Sequence, residues 1–270
     1  MMRSLYSAVS GLKNHQIKMD VIGNNIANVN TTGFKKSRTT FATTLSQTLR
    51  GASASSADAT GIGGTNPIQI GLGSALSSID QMMTQGSASS TGEDSDLMIN
   101  GPGFFVLQQG SQTVYSRAGA FHTDSDKYLV DAAGSKVLDG NGDPIKMEDD
   151  TTSFTIDSAG AITEIDSDGN STTDKYIRLA TFANDTGLTS IGGSYYTPSN
   201  NSGDPVFYSA DDAGYPAGTT LSSGNLEMSN VDLSSEFTDM IIAQRGFQAN
   251  SRVITVSDSL LEELINLKRS

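Results

Sequence analysis

Residues 4–29 read SLYSAVSGLKNHQIKMDVIGNNIANV, and the positions of their apolar residues decide how the chain begins to fold. Leu5, Leu12, Met19 and Ile26 recur every seventh residue, and Ala8, Ile22 and Val29 follow three residues later in three of the four repeats. The position that breaks the pattern is His15. Such spacing predicts a helix with a narrow a/d stripe. A stripe this narrow does not hold a lone helix in water, so the segment needs a partner.

The other end of the chain offers that partner. Met240, Phe247, Ile254 and Leu261 also step by seven, and Phe237, Ile241, Val253, Leu260, Leu264 and Leu267 flank them. Two interpretations stay open. The two ends form a simple helical hairpin, or each pair also packs against pairs from other copies, and such open contacts build a helical filament.

The second interpretation predicts a self-assembly seam along both helices. Its candidate residues are Leu5, Leu12, Met19, Ile22, Ile26, Val29, Phe237, Met240, Phe247, Ile254, Leu261 and Leu264.

The middle of the chain has a different pattern. Residues 46–66 are rich in Ser, Ala and Gly, which predicts a linker or arm. Short runs of strand-forming residues follow, such as 97–99, 104–107 and 161–165, and Gly-rich or Asp-rich turns separate them. We expect an α+β protein in which residues 1–33 and 231–270 form a discontinuous, coiled-coil-like helical core domain. Residues 34–92 are expected to form an extended connector and residues 93–230 an outer, mainly antiparallel β domain.

Charge and composition exclude several classes of partner. The formal net charge is -13, and residues 51–230 carry 6 basic and 23 acidic side chains. Phosphate binding needs clustered Lys and Arg, so we expect neither nucleic acid nor an anionic membrane as a partner. The chain has no Cys, its start lacks the apolar run of a cleaved signal peptide, and no stretch is apolar enough to span a membrane.

Candidate chemical sites are weak. The acidic segments that begin at Asp139 and Asp166 lack the Gly and Glu that an EF-hand needs at its sixth and twelfth positions, so they predict hairpin turns. A Ser-His-Asp hydrolase would have to use His15 or His122, but the sequence has no Gly-x-Ser-x-Gly motif to present the nucleophile. We therefore expect no catalytic site, no metal site and no cofactor.

Both ends contain long strings that resemble the flagellar rod and hook family. Residues 20–36 read DVIGNNIANVNTTGFKK, residues 230–233 read NVDL, and residues 236–252 read EFTDMIIAQRGFQANSR. The positions that carry the family motif are Asn24, Asn25, Asn28, Gly33, Phe34, Gln244, Arg245 and Asn250.

The resemblance implies a structural subunit that polymerises into a tube, with the paired terminal helices along a central channel. Residues 243–251 are similar to hook proteins, and residues 63–73 are similar to hook proteins of a short form. The short length and the Ser/Ala-rich stretch are similar to the distal rod, where an inserted segment stiffens the tube. We favour the hook, a flexible joint that transmits torque, with the distal rod, a rigid drive shaft, as the alternative. A secreted acidic enzyme or adhesin is the alternative from another class.

The resemblance also implies partners and a location. The partners would be further copies of the chain, the rod, hook-cap and hook-filament junction proteins, and the flagellar export apparatus. Phe41 and Leu45 match the short export signal of the family. The protein would then lie outside the cell in the flagellum, exported without a cleaved signal peptide.

Overall fold

The computed structural model describes residues 2–54, 63–209, 215–216 and 218–269. This part of the chain divides into two compact units. Unit 1 comprises residues 1–26, 37–80 and 233–270, and unit 2 comprises residues 27–36 and 81–232. Helices lie at both ends of the chain and antiparallel strands lie between them, so the predicted α+β class is confirmed.

Unit 1 combines two long helices with two pairs of strands. Its elements are α1 (Met2–Ala27), β1 (Ser37–Thr43), β2 (Ser46–Arg50), β3 (Ile68–Gly71), β4 (Ser74–Gln81) and α2 (Leu233–Arg269). Strand β1 pairs with β4, and β2 pairs antiparallel with β3. The segment 34–92, expected to be an extended connector, thus contains paired strands. Its residues 55–62 lie outside the described residues, and the predicted domain boundaries stay a prediction.

Unit 2 is built from short strands. They are β5 (Ala88–Ser90), β6 (Leu97–Asn100), β7 (Phe104–Gln109), β8 (Gln112–Ser116), β9 (Phe121–Thr123), β10 (Leu129–Asp131), β11 (Lys136–Val137), β12 (Thr151–Ile156), β13 (Ala161–Asp166), β14 (Ser171–Tyr176), β15 (Leu179–Thr181), β16 (Thr189–Gly192), β17 (Tyr195–Thr197), β18 (Val206–Tyr208), β19 (Thr220–Ser223) and β20 (Asn225–Glu227), with a short 3₁₀ helix at Asp185–Gly187.

The largest sheet of unit 2 has nine strands. Along its main path the order is β16-β17-β8-β7-β11-β10-β9, and β15 joins β7 to β18. Three further sheets, β12-β13-β14, β6-β19 and β5-β20, complete the unit. All these pairs are antiparallel, as the closely spaced turn signals predict.

Strand β7 organises the core of unit 2 because both of its faces are buried. Phe105 and Leu107 point into the larger apolar cluster, and Phe104 and Val106 point into a second cluster on the opposite face. The alternation follows from the two-residue period of a strand. A run of four consecutive apolar residues in the sequence therefore marks a central strand.

The three-stranded sheet is fastened by one buried carboxylate. The side chain of Glu164 on β13 accepts hydrogen bonds from Thr151 on β12, from Lys175 on β14 and from the backbone N–H of Glu148. Burial by itself raises the pKa of Glu164, but the three hydrogen bonds outweigh it and hold the pKa below the usual value of 4.5.

This carboxylate predicts a loss of stability in acid. A lowered pKa in the folded state stabilises the fold above the unfolded-state pKa, and the contribution is lost as the pH falls below about 4.5. We expect Glu164→Gln to cost about 1.5–3 kcal/mol at neutral pH and to flatten the decline below that pH. Urea unfolding of the full chain between pH 3 and pH 7 measures both effects. Asp168→Asn, at an exposed turn position, is the control and should change neither.

Candidate self-assembly surface

Helices α1 and α2 lie antiparallel within unit 1. Asn25 donates a hydrogen bond to the carboxylate of Glu236, with 3.1 Å between Nδ2 and Oε2. Further along the pair, Lys18 Nζ lies 3.0 Å from Asp239 Oδ1. Residue numbers rise along α1 as they fall along α2, so these contacts show that the two helices run antiparallel.

Two glycines bring the helices close together. A β-carbon on Gly11 would lie 2.8 Å from Nδ2 of Asn250, and a β-carbon on Gly246 would lie 2.5 Å from Cε1 of His15. Real β-carbons essentially never approach this closely. Each glycine therefore leaves the space that a side chain of the other helix occupies.

The stripe of α2 that α1 covers is only partly apolar. Met240, Phe247 and Ile254, which step by seven in the sequence, are half-buried, and Glu236, Ala243, Asn250 and Ser257 alternate with them as buried or half-buried residues. Leu261, the next residue in the series, is also half-buried but lies beyond the part of α2 that faces α1. Because the alternating residues are small or polar, the stripe buries little apolar area. Packing inside one chain thus gives α2 limited stabilisation.

The predicted seam residues of α1 lie mostly on the covered side of that helix. Leu5, Leu12, Met19 and Ile26 are half-buried, and Ile22 is buried. Val29 lies in the turn that follows the end of α1 at Ala27. The helix therefore ends before the last position of the predicted stripe.

A second apolar stripe of α2 is exposed. Val253, Leu260 and Leu267 step by seven and are 42%, 46% and 72% exposed. Beside them are Ile242 and Val256, at 57% and 59%. We call these five residues the second stripe. Phe237 and Leu264, assigned to the seam from sequence, are also exposed, at 50% and 51%. Neighbouring exposed apolar residues of this kind mark a candidate interaction surface.

Helix α2 also extends past α1. Three contacts between the helices share one register, because in each of them the two residue numbers add up to 261. The contacts are Asn25 with Glu236, Gly11 with Asn250, and His15 with Gly246. At that register Met2, the first described residue of α1, lies opposite residue 259, and α2 continues to Arg269. We call residues 260–269 the overhang.

One asparagine of the family motif joins α1 to the strands of unit 1. Asn25 is 1% exposed. Its Nδ2 donates to the carbonyl of Ser37, and its Oδ1 accepts from the N–H of Ser37, at 2.9 and 3.0 Å. This paired contact ties the last turn of α1 to the first residue of β1, which explains why this position needs a side-chain amide.

Gly33 is required by its backbone geometry. Its φ of +68° lies in the left-handed region that favours glycine. A β-carbon at this position would lie 2.4 Å from the backbone nitrogen of Ala118, and the N–H of Gly33 donates to the carbonyl of Glu227. Any other residue would push these segments of unit 2 apart.

The other residues singled out from the sequence lie at or near the surface. Asn24, Gln244 and Arg245 are exposed, Asn28 accepts a hydrogen bond from Thr31, and Phe34 is half-buried. Of the candidate export signal, Phe41 lies in β1 at 41% exposure and Leu45 follows it at 84%. Of the motif residues, the structure thus brings Asn25 and Asn250 to the contact between α1 and α2. Phe41 and Leu45 lie in and just after β1.

The buried charge cluster of unit 2 was not predicted from the sequence. Lys35 and Glu227 are both fully buried, and their Nζ and Oε1 lie 2.5 Å apart. The other carboxylate oxygen of Glu227 lies 3.4 Å from Nη1 of Arg117, which is 4% exposed. Lys35 also donates to the carbonyl of Thr84, and the N–H of Gly86 donates to Glu227.

Burial controls the ionisation of this cluster. It lowers the pKa of Lys35 below its usual value, although the charge of Glu227 opposes the shift. The pKa of Arg117 is lowered by burial in the same way. A single carboxylate thus stabilises two buried cations. It also joins the segment that follows α1 to the segment that precedes α2.

The acidic segments form turns. The N–H of Gly142 donates to the carbonyl of Asp139, and the N–H of Gly169 donates to that of Asp166. Within the described residues no group of three or more His, Asp or Glu side chains is placed to hold a metal ion. Across the same part of the chain, neither helix is long and apolar enough to cross a membrane.

Two long helices that pair with each other and still expose a second stripe define a structural subunit that packs against others. Three family descriptions match the chain. Residues 5–35 match "Flagella basal body rod protein", residues 98–164 match "Flagellar hook protein FlgE/F/G D1 domain", and residues 222–267 match "Flagellar basal body rod FlgEFG protein C-terminal".

Relatives match the chain from end to end. The flagellar basal-body rod protein FlgG of Bacillus subtilis (strain 168) is 51% identical over 269 residues, covering 100% of both chains. FlgG of Agrobacterium fabrum is 36% identical over 96% of this chain and 97% of its own. The flagellar hook protein FlgE of Borreliella burgdorferi is 31% identical over 99% of this chain and 100% of its own. The chain belongs to the family of flagellar rod and hook proteins.

The comparisons favour the rod over the hook, which reverses the preference drawn from the sequence. The alignment with the Borreliella hook protein spans 447 residues. Since this chain has 270, at least 177 of those positions face a gap in it. The Bacillus rod protein aligns over 269 residues with higher identity. The relatives carry the names of rod and hook proteins, not of enzymes or adhesins.

The buried cluster predicts a large loss of stability when its carboxylate is neutralised. Glu227→Gln removes the carboxylate that pairs with buried Lys35 and contacts buried Arg117, and breaking a buried ion pair in this way costs about 3–5 kcal/mol. Urea unfolding followed by tyrosine fluorescence measures the change. Glu93→Gln, at an exposed position, removes the same charge and should leave stability nearly unchanged. Equal stability of the two variants would contradict the role given to the cluster.

Proposed function

We propose that this chain is the subunit of a distal-rod-type tube of the flagellum, a homopolymer assembled through α1 and α2. The observation that carries the proposal is the match with the Bacillus rod protein along the whole of both chains. If the chain were a hook subunit, the many residues that the Borreliella hook protein has in addition to those of this chain would be unexplained.

The exposed face of α2 supports assembly from identical copies. The second stripe repeats every seven residues, which is the period that helices use to pack along one another. Because α1 already covers the other side of α2, the second stripe must meet a helix from a different copy. A contact between two different surfaces of the same subunit repeats without closing, and it builds a helical filament.

The β2–β3 pair supports a rigid tube. These strands form a two-stranded ribbon, and a bridge between Ser53 and Thr65 continues it. Leu49, Ile68 and Ile70 in the ribbon are 56%, 47% and 40% exposed. Since an isolated two-stranded ribbon is marginally stable in water, we propose that it packs on a neighbouring copy and restricts bending.

Further partners follow from the same proposal. The chain would meet other rod and hook components and would leave the cell through the flagellar export apparatus, with Phe41 and Leu45 in the export signal. The hook-cap and hook-filament junction proteins, and the outward placement of the β domain, stay predictions.

Polymer shape separates the two candidate functions. The rod proposal predicts straight tubes when the purified full-length chain is concentrated, because ribbon contacts between copies resist curvature. Negative-stain electron microscopy at several salt concentrations shows the shape directly. Curved or supercoiled tubes would favour the hook, and the absence of any polymer under all conditions would contradict both.

A single charge in the second stripe tests the assembly surface. Val256→Asp adds a carboxylate at an exposed position, so the free subunit should keep its circular dichroism. Assembly would bury that charge in an apolar contact, which costs several kcal/mol per subunit unless the charge is paired. We therefore expect no polymer by sedimentation. Gln248→Asp adds the same charge to an exposed polar position of α2 and should still polymerise. Normal polymers of Val256→Asp would refute this surface.

A further inference from the structure

The stripe of α1 is interrupted at His15, and the structure gives this interruption a partner. His15 faces Gly246, which is the single glycine in the 37 residues of α2. One turn away on each helix the arrangement is reversed, because Asn250 of α2 faces Gly11 of α1. A large polar side chain thus meets a glycine twice, once from each helix.

We infer that these two reciprocal contacts fix the register of the α1–α2 pair. His15 and Asn250 act as positioning residues, and Gly246 and Gly11 are the recesses that receive them. The fit depends on the absence of a β-carbon, since one at Gly246 would lie 2.5 Å from Cε1 and 2.6 Å from Nε2 of His15.

The apolar stripes cannot set this register alone. Met240, Phe247 and Ile254 repeat every seven residues, so a shift of one heptad would bring an equivalent large apolar residue to each seam position. The glycine is not repeated. Seven residues from Gly246 stand Val253 in one direction and Asp239 in the other. A shifted helix would press the ring of His15 against a branched side chain or a carboxylate.

The ring of His15 is positioned by packing against Gly246, and hydrogen bonds do not hold both of its nitrogens. Its Nδ1 is buried and has no hydrogen-bond partner. A buried nitrogen without a partner carries a free-energy cost, which packing into the recess must offset. Asn250 is held differently, because its Nδ2 also donates to the carbonyl of Gly246 one turn back. This hydrogen bond links the two contacts.

The register has a consequence for assembly, which rests on the proposed function. The register places the start of the overhang at Leu260. Leu260, Leu264 and Leu267 therefore lie past Met2, the first described residue of α1. A shift of one heptad would lengthen or shorten the overhang by seven residues, about 10 Å of helix. Copies with different overhangs would not stack in one lattice.

Alanine substitution of two helical glycines tests the inference, because the melting temperature should rise at one position and fall at the other. Alanine favours a helix over glycine, so Gly23→Ala, where a β-carbon would meet nothing within 4 Å, should raise the helix melting temperature by about 2–4 °C. Gly246→Ala should instead lower it, because the new methyl group collides with His15. Melting is followed by circular dichroism at 222 nm on the full chain, at concentrations where it is monomeric.

A double variant isolates the contact with the ring. His15→Ala removes the ring, so adding Gly246→Ala to it should now raise the melting temperature as the control does. A rise for Gly246→Ala alone, a fall for the double variant relative to His15→Ala, or no helix transition in the wild-type monomer would each overturn the inference. These melts do not involve polymerisation. A failure to polymerise alongside the expected melts would count against the proposed function only.

Discussion

A helix of 26 residues covers one side, and only part of the length, of a helix of 37 residues. This constraint governs unit 1. It leaves α2 with two apolar stripes, one half-buried within the chain and one exposed, and residues 260–269 of α2 lie past Met2, the first described residue of α1. The hydrophobic effect makes such exposure unfavourable in proportion to its area. We therefore propose that copies associate through the surface that a single copy leaves exposed.

Unit 2 depends on a different interaction. Its chain enters after α1 and leaves before α2, and the ion pair between Lys35 and Glu227 fastens these two segments together where water is excluded. Buried charges cost stability unless they are paired, so the cluster is stable only when Lys35 and Glu227 are both in place. It adds little to the net stability of the fold but allows few alternative arrangements of the two segments. That restriction suits a subunit whose copies must be identical to share a lattice.

Sequence reasoning succeeded where a pattern is periodic and failed where a contact joins distant residues. The seven-residue steps from Met240 to Leu261 and the run from Phe104 to Leu107 predict helix and strand correctly, because period reflects local geometry. The exposure of Val253 and Leu260 could not be read from sequence, because periodicity does not reveal which stripe its own chain covers. In the sequence, nothing distinguishes Glu227 from a solvent-exposed acid, because its partner Lys35 is 192 residues away.

We propose that the second stripe of α2 meets a neighbouring copy. The most direct measurement is a cryo-electron microscopy map of the polymer at a resolution that shows side chains. We expect Val256 and Leu260 to be buried against a helix of another copy, and Gly246 still to face His15 within the same chain. A polymer in which the second stripe faces solvent, and copies touch only through the strands of unit 2, would contradict it.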